Sequence, residues 1–319
     1  MPELPEVETV RSGLSKLLPN RTIKSITHDW DKSFPNPKSE VSQFALGSTI
    51  TGIRRRAKVL MIDMNTEYSF VIHLKMTGQL VFVGKNQLNE ERSTTNVETG
   101  NSRSSSFSVH RPSASPERFG AGHPNDSLVS KLPDKSTRVI VEFNDDSKLF
   151  FNDQRKFGWM KLMPTLLISE IDFMKRVGPE PLEAEFTSSI LFERLQKRKN
   201  SSIKAALLDQ TVLAGIGNIY ADESLWGAKI HPATLVNKLR KKQVNLLHSE
   251  IIFVLKLAIE KGGSTDRNYV NAEGKRGSYI DFARVFRKEN TPCPRCSTII
   301  IKTRVAGRGT HLCPICQTV

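Results

Sequence analysis

Four cysteines constrain this chain more than any other feature. They form two pairs, "CPRC" at 293–296 and "CPIC" at 313–316, with sixteen residues between the pairs. Two thiolates spaced two residues apart in a turn reach one metal ion, and a second such turn completes a tetrahedron. The spacing is that of a zinc site rather than a lone redox pair. Cys293, Cys296, Cys313 and Cys316 are therefore expected to hold one structural Zn²⁺ per chain. An all-sulfur set leaves no position for water, so the ion stabilises a β-hairpin instead of performing chemistry. Between the pairs lies "IIIKTRVAGRGTH", a cationic stretch suited to a phosphate backbone.

Charge points the same way. The 319 residues carry 47 Lys and Arg against 33 Asp and Glu, a formal charge of +14. Such an excess favours a polyanionic partner, because phosphate contacts release counterions. No apolar run approaches the roughly 20 residues of a membrane span. The first residues lack the cationic and apolar pattern of a secretory signal. A cytoplasmic setting and no membrane partner are the expectations, and reduced cysteines fit that compartment.

Against this basic background the chain opens with "MPELPEVETV", three carboxylates and no positive charge. Val7, Val10, Leu14, Leu17 and Leu18 recur at helical spacing, so residues 4–18 read as a helix. Glu3, Glu6 and Glu8 would then favour the positive end of the helix dipole. A chemical reading is also open. A small residue such as Pro after Met1 permits removal of the initiator, which leaves Pro2 with a free secondary amine. An α-amino group has a pKa of roughly 8, so part of it is neutral near pH 7. Attack on a sugar C1′ would give an iminium. Glu3 could carry protons beside it, and Glu6 lies one turn on along the same face.

Further along, "KVLMIDM", "YSFVIHLKM", "TRVIVEF" and "KLFFND" read as strands. A mostly antiparallel β-sandwich behind an N-terminal helix is the simplest assembly, giving an α+β multidomain chain. The catalytic sandwich is expected over 1–163. Within it, 85–134 is rich in Ser, Pro, Gly and Asn and reads as a disordered insertion. From Lys85 to Pro133 there are six Lys or Arg and five Asp or Glu, so the net charge lies elsewhere. Residues 164–186 read as a linker, 187–263 as a helical domain, and 264–319 as a basic loop and the zinc finger.

Six stretches recur in a telling order: "PELPEVETVR", "RRRAKVL", "IHLKMTG", "NDQRKFG", "GIGNIYADESL" and the zinc module. Together they resemble the bacterial formamidopyrimidine-DNA glycosylases over nearly the whole chain outside the insertion. The resemblance implies a helix–two-turns–helix domain at 187–263. It also implies a monomeric base-excision repair enzyme acting on double-stranded DNA with oxidised purines or abasic sites. Pro2 matches the nucleophile, Glu3 the acid that opens the sugar ring, and Glu6 a conformational and acid–base helper. Lys58 matches a lysine of phosphate contact and β-elimination. Arg308 matches the zinc-hairpin arginine of phosphate contact and δ-elimination. Asn218 matches a phosphate-binding asparagine. Met76, Arg155 and Phe157 match the trio that fills the space left by an extruded nucleotide. His73, Lys199, Lys204, Tyr269 and Lys302 fall where the family contacts DNA, and "NAEGKRGSY" (271–279) matches the loop over the flipped purine.

Two departures stand out. The family's Lys-His-x-His-Val is "KSTRV" here (135–139), so Ser136 and Arg138 replace two histidines and Arg138 is a candidate DNA contact. The Ser-rich insertion is also atypical. An endonuclease VIII-like enzyme for oxidised pyrimidines and a non-catalytic DNA-binding relative are the alternatives. "PELPEVE" and the Met76, Arg155 and Phe157 set favour the purine branch.

Overall fold

The computed structural model describes residues 1–86, 88, 118–123, 125–264 and 279–318. Helix α1 (Leu4–Leu14) is followed by β1 (Ile23–His28), α2 (Lys38–Phe44), β2 (Ile50–Arg56), β3 (Val59–Met64), β4 (Tyr68–His73) and β5 (Gly78–Val83). Then come β6 (Arg118–Gly122), β7 (Thr137–Phe143), β8 (Lys148–Asp153) and β9 (Trp159–Pro164). Two antiparallel sheets result, one of order β1-β7-β8-β5-β6 and one of order β2-β3-β4-β9.

Period-2 alternation explains how they stack. Leu60 and Ile62 of β3 face Leu80 and Phe82 of β5 across a shared core that also takes Val7, Val10 and Leu14 of α1. The α1 helix stops at Leu14, four residues short of the expected end, but Leu17 and Leu18 still enter this core. The opposite residues of the same strands are apolar too. Val81, Val83 and Phe150 are covered by Leu128 and Leu132, and Val59, Met61 and Val71 by Ile168. Both sheets are therefore buried on two sides.

Those outer covers correct two expectations. Part of the supposed disordered insertion is ordered: β6 pairs with β5 from Val83↔Arg118 to Gln79↔Gly122. Asn125 then caps a short 3-10 turn at Asp126–Leu128. Leu128 and Leu132 supply the burial that the Ser-rich composition hides; each fully buried leucine contributes about 1.5–3 kcal/mol. Residues 87, 89–117 and 124, also within that insertion, lie outside the described residues. The supposed linker is packed as well. It holds a 3-10 turn (Thr165–Glu170) and helix α3 (Asp172–Arg176), with Phe173 and Met174 against the four-stranded sheet.

Helices α4 (Ser188–Gln196), α5 (Ile203–Leu208), α6 (Asn218–Gly227) and α7 (Lys241–Glu260) share a second core. Hairpin β10 (Ile301–Val305) and β11 (Arg308–Leu312) follows. Its turn residues Ala306 (φ 48) and Gly307 (φ 74) both take positive φ, the geometry that lets two residues join twisted strands. Trp226, Val285, Ile300, Cys293 and Cys313 join the hairpin module to α6.

Gly13 allows α1 to lie on β6: a Cβ there would sit 2.0 Å from the ring of Phe119. Gly13→Val should therefore lower stability by about 1–3 kcal/mol through overpacking, read as a lowered urea midpoint. An unchanged midpoint would show that α1 and β6 do not pack this closely.

Candidate active site and nucleic-acid interface

The site begins where α1 begins. Glu3 is its N-cap, and its own backbone N–H donates to Glu6 Oε2 at 2.8 Å, one half of a capping box. The same end of the chain docks on the loop before α6. Leu4 N–H donates to the Gly215 carbonyl at 3.0 Å. The Glu3 carboxylate accepts from the backbone N–H of Ile219 (3.0 Å) and of Tyr220 (3.5 Å). A carboxylate at a helix N-terminus meets both free amides and the positive dipole end. Glycine is required here: Gly215 has φ +79, and a Cβ on Gly217 would lie 2.2 Å from Glu3 Cδ.

Burial, helped by the charge of Glu6, pushes the Glu3 carboxyl up to about 7, against the opposing Lys58 charge and the two amides. Glu6 is saturated. Besides Glu3 it accepts from the Tyr220 hydroxyl (2.5 Å), the Ser264 N–H (2.7 Å) and the Ser264 hydroxyl (2.9 Å). Lys58 sits in the β2–β3 turn, is buried, and donates to the Ile216 carbonyl at 2.8 Å. Burial lowers its pKa, with Arg308 adding to that and Glu3 and Glu6 opposing.

These groups face one cleft of about 420 Å³. Its walls include Pro2, Glu3, Glu6, Lys58, Met76, Asn218 and Arg308, seven of the residues singled out in the sequence. His123 also lines it. Met1, 52% exposed, covers a buried Pro2.

At one rim two loops bring Met76, Arg155 and Phe157 together. The Arg155 guanidinium donates to Met76 Sδ at 3.2 Å and lies 4.9 Å over the Phe157 ring. Met76 and Phe157 remain 40% and 53% exposed. Large apolar side chains held out on loops are available to enter a base stack. Asp153, fully buried, fixes both loops. It accepts from the Thr77 hydroxyl, from Arg155 N–H (3.2 Å) and from Gly158 N–H (2.6 Å). Sequence reasoning missed Asp153, although an Asp opening a tight loop is a common acceptor of nearby amides.

The zinc site fits its metal. The four Sγ atoms lie within 4.8 Å of one another, with Cys296–Cys313 at 3.4 Å and Cys293–Cys316 at 4.0 Å. A tetrahedron with Zn–S of about 2.3 Å places sulfurs roughly 3.8 Å apart. The four cysteines thus hold one structural zinc. The Trp226 indole donates to Cys293 Sγ at 3.4 Å, an outer-shell bond that orients the ligand. Asn218 donates to the Gly309 carbonyl at 3.0 Å, which sets Arg308 at the cleft edge.

Other expected contacts fare differently. Lys204 is not a surface cation. It is fully buried, paired with Asp222 at 2.6 Å, and donates to the Gly309 carbonyl (3.0 Å) and the Thr310 hydroxyl (2.8 Å). Its charge is consumed in joining the hairpin to α5 and α6. Arg138 is likewise buried, donating to the Asp153 carbonyl at 3.0 Å and pairing with Asp29, so it does not substitute for a DNA-binding histidine. His73 stacks near Trp159 and Phe173, and burial drives its pKa down to about 3. It is neutral and offers no cation to phosphate. Lys199 is exposed and stands apart from the cleft. Lys302 is exposed on the hairpin and pairs with Glu289 at 3.1 Å. Tyr269, and 271–278 of the expected lesion loop, lie outside the described residues. Glu223, also missed, is fully buried. It accepts from Tyr279, from Arg284, and from the N–H groups of Val285 (2.9 Å) and Phe286 (2.8 Å), which anchors the segment leading to the zinc module.

A β-sandwich, a helical module and a four-cysteine hairpin around a buried carboxylate pair define a DNA-repair glycosylase scaffold. Models of that kind match along the chain. The formamidopyrimidine-DNA glycosylase N-terminal domain matches residues 1–160, the H2TH domain of the same enzymes 177–269, and the zinc finger found in FPG and IleRS 291–319. The formamidopyrimidine-DNA glycosylase of Bacillus licheniformis is 39% identical, with 99% of each chain covered. That of Latilactobacillus sakei is 37% identical over 99% of this chain and 98% of its own. Among solved structures, Lactococcus lactis Fpg in complex with DNA containing an abasic site superimposes with a TM-score of 0.79 at 33% identity, covering 99% of this chain and 100% of its own. A MutM complex with DNA containing carbocyclic 8-oxo-G gives 0.78 at 32%, covering all of both chains. The chain belongs to the formamidopyrimidine-DNA glycosylase family.

Replacing Lys204 with Ala would leave Asp222 buried without its lysine, held only by His311, whose backbone N–H donates to it at 2.9 Å. We expect a loss of about 3–5 kcal/mol in unfolding free energy. The salt dependence of DNA binding should stay unchanged, because no phosphate contact is removed. A shallower salt slope at unaltered stability would restore Lys204 to the DNA interface.

Proposed function

We propose that this chain excises oxidised purines, such as 8-oxoguanine and formamidopyrimidines, from double-stranded DNA and then cuts the strand at the abasic site. It acts as a monomer in the cytoplasm, on the nucleoid. The carrying observation is the convergence on one cleft of the chain's first residues, a carboxyl raised to about 7 and two basic side chains, Lys58 and Arg308. Family membership, and relatives solved with abasic and 8-oxo-G DNA, support the substrate class.

With Met1 removed, Pro2 presents a neutral secondary amine. Its nitrogen attacks C1′ of the extruded nucleotide, and the N-glycosidic bond breaks with the electron pair leaving on the purine. The proton shed by the nitrogen neutralises that purine. Glu3, half protonated near pH 7, gives its proton to the ring oxygen, and the nitrogen lone pair closes to an iminium as the ring opens. Glu6 accepts the Glu3 backbone N–H and so holds the turn that presents both groups. The iminium acidifies the adjacent carbon, and β- then δ-elimination follows with Lys58 and Arg308 at the phosphates. Met76, Arg155 and Phe157 occupy the vacated stack, while Asn218, Lys302 and Arg308 grip the backbone. Lys199 adds a peripheral contact.

The chemistry of this reading is at the sugar. Two comparisons test it. Borohydride should trap a covalent adduct on Pro2 with 8-oxoguanine duplexes, and thymine glycol should be cut more slowly. No adduct, or a preference for thymine glycol, overturns the assignment. Glu3→Gln should slow excision about 10²–10⁴-fold, and wild-type excision should fall as pH rises through about 7, where the acid form is lost. Excision that keeps rising well above that pH would remove Glu3 as the acid.

A further inference from the structure

The ordered end of the insertion delivers one group to the cleft that the reaction above does not use. Strand β6 runs along the edge of the five-stranded sheet and ends at Gly122, where φ is +124. A Cβ at Gly122 would lie 2.5 Å from the Gly78 carbonyl oxygen, so only glycine permits this turn. The next residue, His123, is clamped on both sides of its backbone. Its N–H donates to the Gly78 carbonyl at 3.0 Å, and its carbonyl accepts from the Gln79 side chain. Gln79 is fixed in turn by donating to Asn125 Oδ1 at 2.7 Å. The half-buried imidazole thus stands on a rigid support in the wall that Pro2 shares.

We propose that His123 is the general base that takes the proton from the Pro2 ammonium and so releases the neutral amine for attack. The step moves one proton from the amine nitrogen to a ring nitrogen; no carbon bond changes and no redox partner is needed. The other titratable groups facing the cleft are unsuited. Glu6 has its oxygens occupied by four donors, and Glu3 is held by two amides and is required as an acid. Arg287 and Arg308 are cations, and Lys58 donates to the Ile216 carbonyl and is needed at the elimination steps. Burial and the Met1 ammonium hold the imidazole below its ordinary pKa, with Asp153 opposing, so the ring is neutral near pH 7 and keeps a nitrogen lone pair free to take a proton in passing.

The inference rests on Pro2 being the nucleophile, and the test separates the two. Borohydride trapping on an abasic duplex is followed under single-turnover conditions from pH 6 to 9, with the full chain carrying His123→Gln or His123→Ala. At pH 6.5 both variants should trap at least about tenfold more slowly than wild type. The gap should close toward pH 9, where an amine of pKa roughly 8 loses its proton to solvent. Imidazole in the buffer should restore the Ala variant, and DNA affinity should hold. A loss that is equal at every pH, a loss explained by weaker DNA binding, or wild-type rates throughout would overturn the role of His123. No Pro2 adduct even in wild type would instead sink the nucleophile itself.

Discussion

A single docking contact organises this molecule: the carboxylate of Glu3 seated on the first amides of α6, with the Leu4 N–H on the Gly215 carbonyl. It joins the sandwich, through α1, to the helical module. It also fixes the place of Pro2, the residue just before Glu3, in the cleft wall. Both partners are small for a reason. Gly215 lies against Leu4 and Gly217 against Glu3, and neither position has room for a side chain. Burial in this seat raises the carboxyl to about 7, with the two amides opposing.

Around that contact the fold is a set of braces made from buried polar groups. Glu6 ties α1 to Tyr220 and Ser264, Lys204 and Asp222 tie the hairpin to the helices, Glu223 holds the approach to the zinc module, and Asp153 holds the two rim loops. Each is satisfied several times over, as buried charge must be. The zinc supplies the rigidity that a hairpin of this size cannot draw from its own core. Arg308 reaches the cleft because Asn218 and Lys204 both hold the Gly309 carbonyl next to it.

Much of this was legible before any coordinates. The cysteine spacing gave the metal site, and alternating or β-rich apolar runs gave strands β3, β4, β7 and β8. The acidic opening gave Glu3 and Glu6. What stayed hidden has physical causes. Strand β6 is short, glycine-rich and flanked by serines, so its pairing with β5 comes from tertiary context rather than propensity. Lys204 was expected to contact DNA, yet it sits beside Ile203, Ala206 and Leu207, and Asp222 sits in the apolar helix "NIYADESLWG". Opposite charges embedded in two apolar helices were the available signal of a buried pair. Arg138 misled for a similar reason: it lies in the buried strand β7, where its position between sheet partners outweighs its charge.

The account stands or falls on the seat of Glu3. Gly217 has φ −132, open to alanine, yet an added Cβ would meet the Glu3 carboxyl carbon at 2.2 Å. The decisive measurement is the rate of borohydride trapping by Gly217→Ala on an abasic duplex. A drop of at least about a hundredfold, with zinc content and DNA affinity intact, is predicted from displacing an acid–base group. Trapping at the wild-type rate would contradict the claim that this contact places the reacting nitrogen.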